Sequence, residues 1–156
     1  MTDQTYGSVP RDVLKSMSGL DFLQAMIDGK LPRAPIGRLM EFSPVAVSKG
    51  FFAFEGTPGA QHYNPIGSVH GGYAATLLDS CMGCAVQSTL AQGWGYTTLE
   101  FKINFLRGMT TETGVVRAEG TVISSGRRVA TADGRLLDSQ GRILATGTTT
   151  CLVMEL

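Results

Sequence analysis

The chain has 156 residues, of which 43% are hydrophobic and 17% are charged, and its 13 basic side chains balance its 13 acidic ones. This length and composition predict a single globular domain with an ordinary hydrophobic core. A net charge of zero gives no global attraction to nucleic acid or to an anionic membrane surface, so neither is expected as a partner.

The first eight residues contain neither a basic cluster nor an apolar stretch, so the sequence shows no signal peptide. No uncharged apolar run approaches the ~18 residues that would suggest a membrane span. The three cysteines do not suggest a disulfide framework. We therefore expect a cytoplasmic protein.

Residues 11–29 place apolar side chains at approximately helical spacing and predict a short helix followed by a longer one. Gly29 and Pro32 end this pattern and lead into an extended connector. We take residues 1–35 as an N-terminal helical extension with its connector, and residues 36–156 as the main domain.

From Gly37 onward the apolar residues recur about every second position, which predicts two strands with a turn near Lys49-Gly50. The loop 56–67 then leads into a long helix that is predicted to end near residues 91–93. Four further strands are separated by short turns, which predicts an antiparallel meander over 97–107, 114–124, 127–138 and 142–153. One long helix and a curved antiparallel sheet of about five to six strands form an α+β architecture.

The stretch from Asn64 to Val86 is the most informative part of the chain. Its helix begins after His70 and contains one ionised side chain, Asp79, among apolar neighbours. A carboxylate in such a helix is costly unless something satisfies it or uses it. Asp79 is therefore a candidate functional residue, and a buried Asp held by hydrogen bonds is the structural alternative.

Asp79 follows Gly72 by close to two helical turns, so both lie on one face of the helix, together with the small residues Ala75, Thr76 and Gly83. That face could admit a ligand or another backbone. The N–H groups of Gly71 and Gly72 at the start of the helix could polarise a carbonyl or stabilise an oxyanion.

These residues form a composite motif, with Asn64 six residues before His70-Gly71-Gly72 and Asp79 nine residues after the histidine. The motif resembles that of hotdog-fold acyl-CoA thioesterases of the phenylacetic-acid-degradation (PaaI-like) type, and it is also similar to the mammalian acyl-CoA thioesterase 13 family. The similarity covers residues 36–154. It implies the hotdog fold, in which a curved antiparallel sheet wraps a long central helix.

The resemblance implies hydrolysis of an acyl- or aryl-CoA thioester to the free acid and coenzyme A. Asp79 would be the nucleophile or the general base, and Asn64 would position the water or the carbonyl. The N–H of Gly71 would polarise the thioester oxygen, and the hydroxyl of Thr98 would support the water. His70 would orient the loop, whereas simple capping of backbone groups is the alternative for this side chain.

Arg107, Arg127 and Arg128 lie at predicted turns. Arginine suits phosphates because of its planar donor fork, and the resemblance implies that basic residues at these turns bind the phosphates of coenzyme A. Ordinary solvated surface is the alternative. The Arg-Pro pair usual in the family is Arg107-Gly108 here.

Further substrate contacts are expected on the helix and in a pocket. Gly72 and Thr76 lie on the same helical face as Asp79 and are candidates for substrate binding. Four aromatic side chains could line an acyl pocket, although core packing explains the three phenylalanines about as well: Phe51, Phe52, Phe54 and Tyr63.

Neither a metal nor an organic cofactor is expected. The two histidines, His62 and His70, have no cysteine or aspartate at zinc-like spacing. The pair Cys81 and Cys84 matches a C-x-x-C pattern but lies in mid-helix, where small core residues are more typical than a redox pair. A Gly-x-Ser-x-Gly elbow, typical of α/β serine hydrolases, is not present.

The resemblance also implies a homodimer, or a homotetramer made of two dimers, with active sites at the interface. Asn64 and Gly71 would come from one chain, and Asp79 and Thr98 from its partner.

Two other functions stay open from the sequence. One is hydration or dehydration of acyl thioesters on the same fold, which needs a histidine paired with the acid. The other is non-catalytic binding of acyl-CoA.

Overall fold

A computed structural model describes residues 5–156. Its helices are α1 (Arg11–Lys15), α2 (Gly19–Ile27), α3 (Pro35–Leu39) and α4 (Gly71–Gln87), and its strands are β1 (Phe42–Ser48), β2 (Phe51–Gly56), β3 (Trp94–Phe105), β4 (Val116–Ser125), β5 (Val129–Leu137) and β6 (Ile143–Glu155). Residues 1–4, which belong to the proposed extension and to the segment considered for a signal peptide, lie outside the described part. No helix within the described part is long and apolar enough to cross a membrane.

The six strands form one antiparallel sheet in the order β1-β2-β4-β5-β6-β3. Helix α4 packs across one face of this sheet and contacts every strand. The predicted α+β class and the hotdog layout are therefore confirmed.

A row of glycines lies under the middle of α4. Gly120, Gly134 and Gly147 pair in register across β4, β5 and β6. A Cβ atom at Gly120 would overlap the α4 backbone at Cys81, and a Cβ at Gly134 would come within 2.9 Å of the Met82 side chain. The absence of side chains along this row lets the helix approach the sheet at backbone distance.

Helix α4 buries one face only. Large side chains on that face are at most 1% exposed and include Tyr73, Leu77, Leu78 and Met82. The opposite face, with Gly72, Ala75, Thr76 and Asp79, is half-buried in this chain. Gly83, which was expected on that face, is instead buried beneath the Tyr96 ring, where a Cβ would overlap the phenol.

Helix α2 packs onto the far end of α4. The Ser18 side chain caps α2 by accepting a hydrogen bond from the Asp21 N–H at 3.2 Å. The Gly19 N–H donates to the carbonyl of Leu90 at 3.0 Å, and a Cβ at Gly19 would overlap the Gln87 carbonyl. The predicted break before the longer helix therefore falls where the start of α2 makes a close contact with the end of α4.

Two predicted element boundaries are wrong. The segment from Gly37 was expected to begin a strand, but Pro35 occupies the first turn of helix α3, where its fixed φ angle suits the helix. The central helix ends at Gln87, not at residues 91–93. Its last turn is closed by the hydroxyls of Ser88 and Thr89, which donate to main-chain carbonyls three residues earlier at 2.6 and 2.7 Å.

The predicted four-strand meander is also wrong in one connection. Strands β4, β5 and β6 are sequential neighbours, but β3 pairs with β6 and forms an edge of the sheet. The other side of β4 is taken by β2, which places Phe52 and Phe54 in the core. The chain therefore crosses from β3 to β4 by a longer connection, residues 106–115, with a short 3-10 turn.

The glycine row predicts a strong effect of a single methyl group. We expect Gly120→Ala to lower the free energy of unfolding by roughly 1–3 kcal/mol, because the new Cβ meets helix backbone that cannot rotate away. Urea unfolding at fixed protein concentration measures this change. Gly108→Ala is the control, since nothing lies within 4 Å of the added methyl. Equal midpoints for the two variants would contradict the packing account.

Candidate active site

The structure brings two of the predicted residues into direct contact. Asp79, on α4, is half-buried, and its Oδ1 atom accepts a hydrogen bond from the Thr98 hydroxyl at 2.9 Å. Thr98 lies on β3 beside an irregularity in its pairing with β6, which falls between Thr98 and Glu100. The Thr98 hydroxyl therefore donates directly to the candidate catalytic carboxylate.

Asp79 lies in the wall of a cavity of about 230 Å³. The cavity is enclosed by α2, α3, β1, β2, β3 and α4, and its walls are mostly apolar. Its lining comprises Met26, Arg33, Ala34, Ile36, Gly37, Phe42, Pro44, Phe54, Asp79, Ser80, Cys84 and Tyr96. This arrangement places one carboxylate at the edge of an otherwise apolar space, with Arg33 as the other charged side chain in the described lining.

The groups beside Asp79 are neutral at physiological pH. Burial raises the pKa of the Cys84 thiol to about 12, and the negative charge of Asp79 adds to that increase. Burial also raises the pKa of the Tyr96 phenol well above its usual value, with smaller contributions from Cys84, Cys151 and Asp79. Asp79 therefore has two weakly polar, uncharged neighbours in Cys84 and Tyr96.

The start of α4 forms a second, separate part of the site. His70 is the N-cap residue, and its Nδ1 atom accepts a hydrogen bond from the Gly72 N–H at 2.8 Å. Gly72 therefore does not offer the free N–H that was expected of it. The Gly71 N–H has no hydrogen-bond partner within residues 5–156 and borders a cavity of about 360 Å³ that is also lined by Phe105 and Arg107.

Asn64 shapes the loop before α4. Its Oδ1 atom accepts hydrogen bonds from the Ile66 and Ser68 N–H groups at 3.0 and 3.2 Å, and its Nδ2 donates to the Ser68 hydroxyl at 3.0 Å. An amide nitrogen carries two hydrogens, so one N–H of Asn64 is left for another partner. The contact of Asn64 with substrate stays a prediction.

Thr76 was predicted to contact the substrate. Its hydroxyl donates to the Gly72 carbonyl at 2.8 Å, one turn earlier in the same helix. The hydroxyl proton is thus committed to the helix backbone, and its oxygen can only accept. Thr76 still lies on the half-buried face that carries Asp79.

The two parts of the site do not meet within one chain. Gly71 and Asp79 are eight residues apart on a continuous helix, which separates them by about 12 Å. A single thioester carbonyl cannot contact a carboxylate and an N–H at that separation. The roles predicted for Gly71 and Asp79 therefore cannot act on one carbonyl within a single chain.

The three arginines are likewise not brought together. Arg107 follows β3 and borders the cavity next to Gly71. Arg127 and Arg128 are exposed at the hairpin between β4 and β5, at the opposite end of the sheet. The length of β4, from its rise per residue, places them about 30 Å from Arg107. One chain cannot present all three to the same pyrophosphate.

The aromatic candidates separate into different environments. Phe54 lines the Asp79 cavity, whereas Phe52 is fully buried in the core. Phe51 is half-buried and does not belong to the described lining. The Tyr63 hydroxyl lies elsewhere and accepts a hydrogen bond from the Thr111 N–H at 2.9 Å. Among these four, Phe54 is the one placed to contact an acyl group.

Sequence reasoning missed Arg33 as a cavity residue. It lies in the connector between α2 and α3, in the segment Leu31-Pro-Arg-Ala-Pro35. Two flanking prolines predict an extended backbone but not the direction in which the side chain points. Within residues 5–156, no group of three or more His, Cys, Asp or Glu side chains could hold a metal ion.

The thiols provide a test of the environment of Asp79. Burial raises the pKa values of Cys81, Cys84 and Cys151. A raised pKa keeps a thiol protonated as the pH rises through 8.5, so we expect alkylation by iodoacetamide at pH 8 to be at least roughly 100-fold slower in the folded protein than in urea. Mass spectrometry of the labelled protein over time measures the rates. Fast labelling of folded Cys84 at pH 8 would contradict this environment.

Comparisons with known proteins agree with the observed fold and with the importance of helix α4. A structure of a phenylacetic acid degradation-related protein from Ralstonia eutropha is 27% identical over 84% of this chain and 98% of that one, with a TM-score of 0.76. A Streptococcus mutans protein solved with acetyl CoA is 27% identical over 74% of this chain and 90% of that one, with a TM-score of 0.67.

The PaaI protein of the Escherichia coli phenylacetic acid degradation operon shares the fold, with 20% identity, a TM-score of 0.75, and coverage of 88% of this chain and 94% of that one. No curated protein matches the chain. The family model of the thioesterase superfamily matches residues 66–145, which include α4 and Asp79 and span half of the chain. The chain therefore belongs to the thioesterase superfamily.

Proposed function

We propose that this protein hydrolyses an acyl- or aryl-CoA thioester to the free acid and coenzyme A. The observation that carries the proposal is the Asp79 carboxylate, hydrogen-bonded to Thr98, in the wall of an apolar cavity. Membership of the thioesterase superfamily supports hydrolysis of a thioester. The similarity to a Streptococcus mutans protein bound to acetyl CoA supports coenzyme A as the thiol.

Asp79 acts on the thioester carbonyl in one of two ways. It attacks the carbonyl carbon directly and forms an anhydride that water then cleaves, or it removes a proton from a water that attacks the same carbon. In both routes the carbon–sulfur bond breaks, and coenzyme A leaves as a thiolate that takes up a proton from solvent. The Thr98 hydroxyl holds one carboxylate oxygen, which leaves the other oxygen free for this chemistry. The apolar walls exclude bulk water from the space that the acyl chain occupies.

The Gly71 N–H stabilises the negative charge that develops on the thioester oxygen. It is the first N–H of α4, and the helix dipole adds positive potential there. His70 holds the turn in place by capping Gly72, and Asn64 holds the preceding loop through three hydrogen bonds. In this proposal His70 is a positioning residue, whereas the remaining N–H of Asn64 binds the substrate carbonyl or the water.

Two chains complete each site. The 12 Å between Gly71 and Asp79 supports a second chain as the source of the missing half-site. Strand β3 is a long edge of the sheet whose exposed apolar side chains Leu99, Phe101 and Phe105 are 57%, 43% and 60% exposed, which is typical of an edge that pairs with another chain. We propose a homodimer, or a homotetramer of two dimers, with Gly71 and Asn64 facing Asp79 and Thr98 of the other chain.

The arginines then contribute to coenzyme A binding from different places. Arg107 lies beside the Gly71 cavity and is suited to a phosphate at the mouth of the site. Arg127 and Arg128 are at the far end of the sheet, so a contact with the same nucleotide requires the other chain.

The alternative of acyl-thioester hydration requires a histidine next to the acid. His70 lies about 13 Å from Asp79 along the helix axis, and its Nδ1 atom already caps the helix. Non-catalytic binding of acyl-CoA would show affinity without release of free thiol. A screen of short, medium, long and aryl CoA thioesters that follows free thiol distinguishes it from hydrolysis.

Removal of the charge at Asp79 is the direct test of the chemistry. We expect Asp79→Asn to lower kcat by roughly 10²–10⁴-fold if Asp79 is a general base, and further if it is the nucleophile. Folding should be preserved, since the amide oxygen still accepts from Thr98 and a half-buried charge is relieved. Ser80→Ala is the matched control, because Ser80 lines the same cavity. Near wild-type kcat in a folded Asp79→Asn protein would overturn the proposal.

A single turnover in ¹⁸O water separates the two roles of Asp79. A nucleophilic Asp79 places the label on the enzyme and releases unlabelled acid in the first turnover. A general base places the label directly in the product acid.

The two-chain site predicts complementation between inactive variants. Gly71→Pro removes the N–H at the first helical position, where proline is tolerated and where the extended conformation of His70 suits a following proline. Co-expressed with Asp79→Asn chains, it should form hybrid dimers with one intact site, and the mixture should show about a quarter of wild-type activity.

Gly71→Ala is the control, because it keeps the N–H while adding a Cβ at 3.0 Å from the Phe105 ring. It should retain most of its activity alone. A mixture no more active than the separate variants would rule out the shared site.

A further inference from the structure

Two hydrogen bonds hold His70, the residue whose peptide unit carries the Gly71 N–H. The His70 carbonyl and the Gly71 N–H belong to one planar peptide unit, so fixing the carbonyl also fixes the direction of the N–H. The Tyr73 N–H donates to the His70 carbonyl at 3.0 Å. On the other side, the His70 N–H donates to the carbonyl of His62 at 2.7 Å. His70 is therefore held between Tyr73 and His62.

The side chains of His62 and Tyr73 also contact each other. Their ring centroids are 4.6 Å apart, and the ring planes are tilted by 37°. Both residues are buried, with 7% of His62 and 1% of Tyr73 exposed, so neither ring can turn away without opening the core. The contacts thus form a closed set, in which His62 and Tyr73 each hold one side of His70 and also hold each other.

The main chain of His62 is fixed by a short turn. His62 ends the 3-10 turn Ala60–His62, and its N–H donates to the Gly59 carbonyl at 3.0 Å. Its Nδ1 atom accepts a hydrogen bond from the Gly59 N–H, also at 3.0 Å. The Nε2 atom is buried and has no hydrogen-bond partner in the described part of the chain. The side chain of His62 therefore stabilises the turn that carries the carbonyl bonded to His70.

We infer that His62 is a positioning residue, which fixes the direction of the Gly71 N–H through His70 and Tyr73. This inference rests on the proposed thioesterase function, in which that N–H stabilises the developing charge on the thioester oxygen. A donor has this effect only when it lies about 2.7–3.1 Å from the position that the oxyanion takes, so a small rotation of the peptide unit weakens it. His62 acts through its neighbours and does not contact the substrate.

Removal of the imidazole tests the inference. We expect His62→Ala to lower kcat by roughly 10-fold or more while KM changes by less than about threefold, because an oxyanion donor acts in the transition state and its complete loss costs roughly 10²–10³-fold. The substrate is the CoA thioester that the wild type hydrolyses fastest in the screen above, followed as free thiol. An unchanged kcat, or a rise in KM alone, would overturn the inference.

A conservative variant and a packing control localise the effect. His62→Phe keeps a ring against Tyr73 and loses the Nδ1 acceptor, so it should retain at least about a third of the wild-type kcat. Val86→Ala also opens the core, but Val86 is fully buried in the last turn of α4, about 22 Å from Gly71. Its kcat should stay within about threefold of wild type. Equal losses of kcat in His62→Ala and in either of the other two variants would overturn the role of the ring contact.

A measurement on the free protein separates failure of this inference from failure of the proposed function. Nitrogen-15 relaxation gives the order parameter of the Gly71 N–H, which we expect near the rigid value of about 0.85 in the wild type, His62→Phe and Val86→Ala. In His62→Ala it should fall below about 0.6. That result supports His62 as the residue that fixes the N–H even if the wild type hydrolyses no thioester. An unchanged order parameter in His62→Ala would overturn the inference and leave hydrolysis intact.

Discussion

The close approach of α4 to the sheet is the constraint on which the other features depend. Gly120, Gly134 and Gly147 lie side by side on three neighbouring strands, and the helix backbone at Cys81 occupies the space that side chains would fill. A larger residue at Gly120 has only main chain to displace, because its nearest contacts are helix backbone atoms. The row therefore fixes both the depth and the rotation of the helix on the sheet.

That rotation decides which chemistry is available. With the helix backbone at Cys81 pressed against Gly120, the helical period places Asp79, two residues earlier, on the opposite, half-buried face, within reach of Thr98 on the edge strand. The same helix begins with His70 as its cap and leaves the Gly71 N–H unused. The Asp79 carboxylate and the unpaired Gly71 N–H thus share one rigid element, at a fixed separation of about 12 Å along its axis.

The sequence predicted much of this because the informative residues are local. The isolated charge of Asp79 in an apolar helix and the turn before His70 could be recognised from neighbouring residues alone, and the hotdog fold followed from that motif. The pairing of β3 with β6 could not, because strand neighbours depend on long-range packing. The helix at Pro35 and the glycine row were missed because two prolines also suit an extended chain, and isolated glycines in strands do not reveal their register. The division at residue 35 and the cytoplasmic location stay predictions.

The connector between α2 and α3 forms one side of the Asp79 cavity. Arg33, in this connector, and Asp79 line the same cavity, and within residues 5–156 no ion pair joins them. Main-chain hydrogen bonds to Thr5 and Gly7 hold the Arg33 main chain in place. The N-terminal segment therefore does more than cover the end of α4, since its connector closes one side of the cavity that contains Asp79 from a fixed main chain.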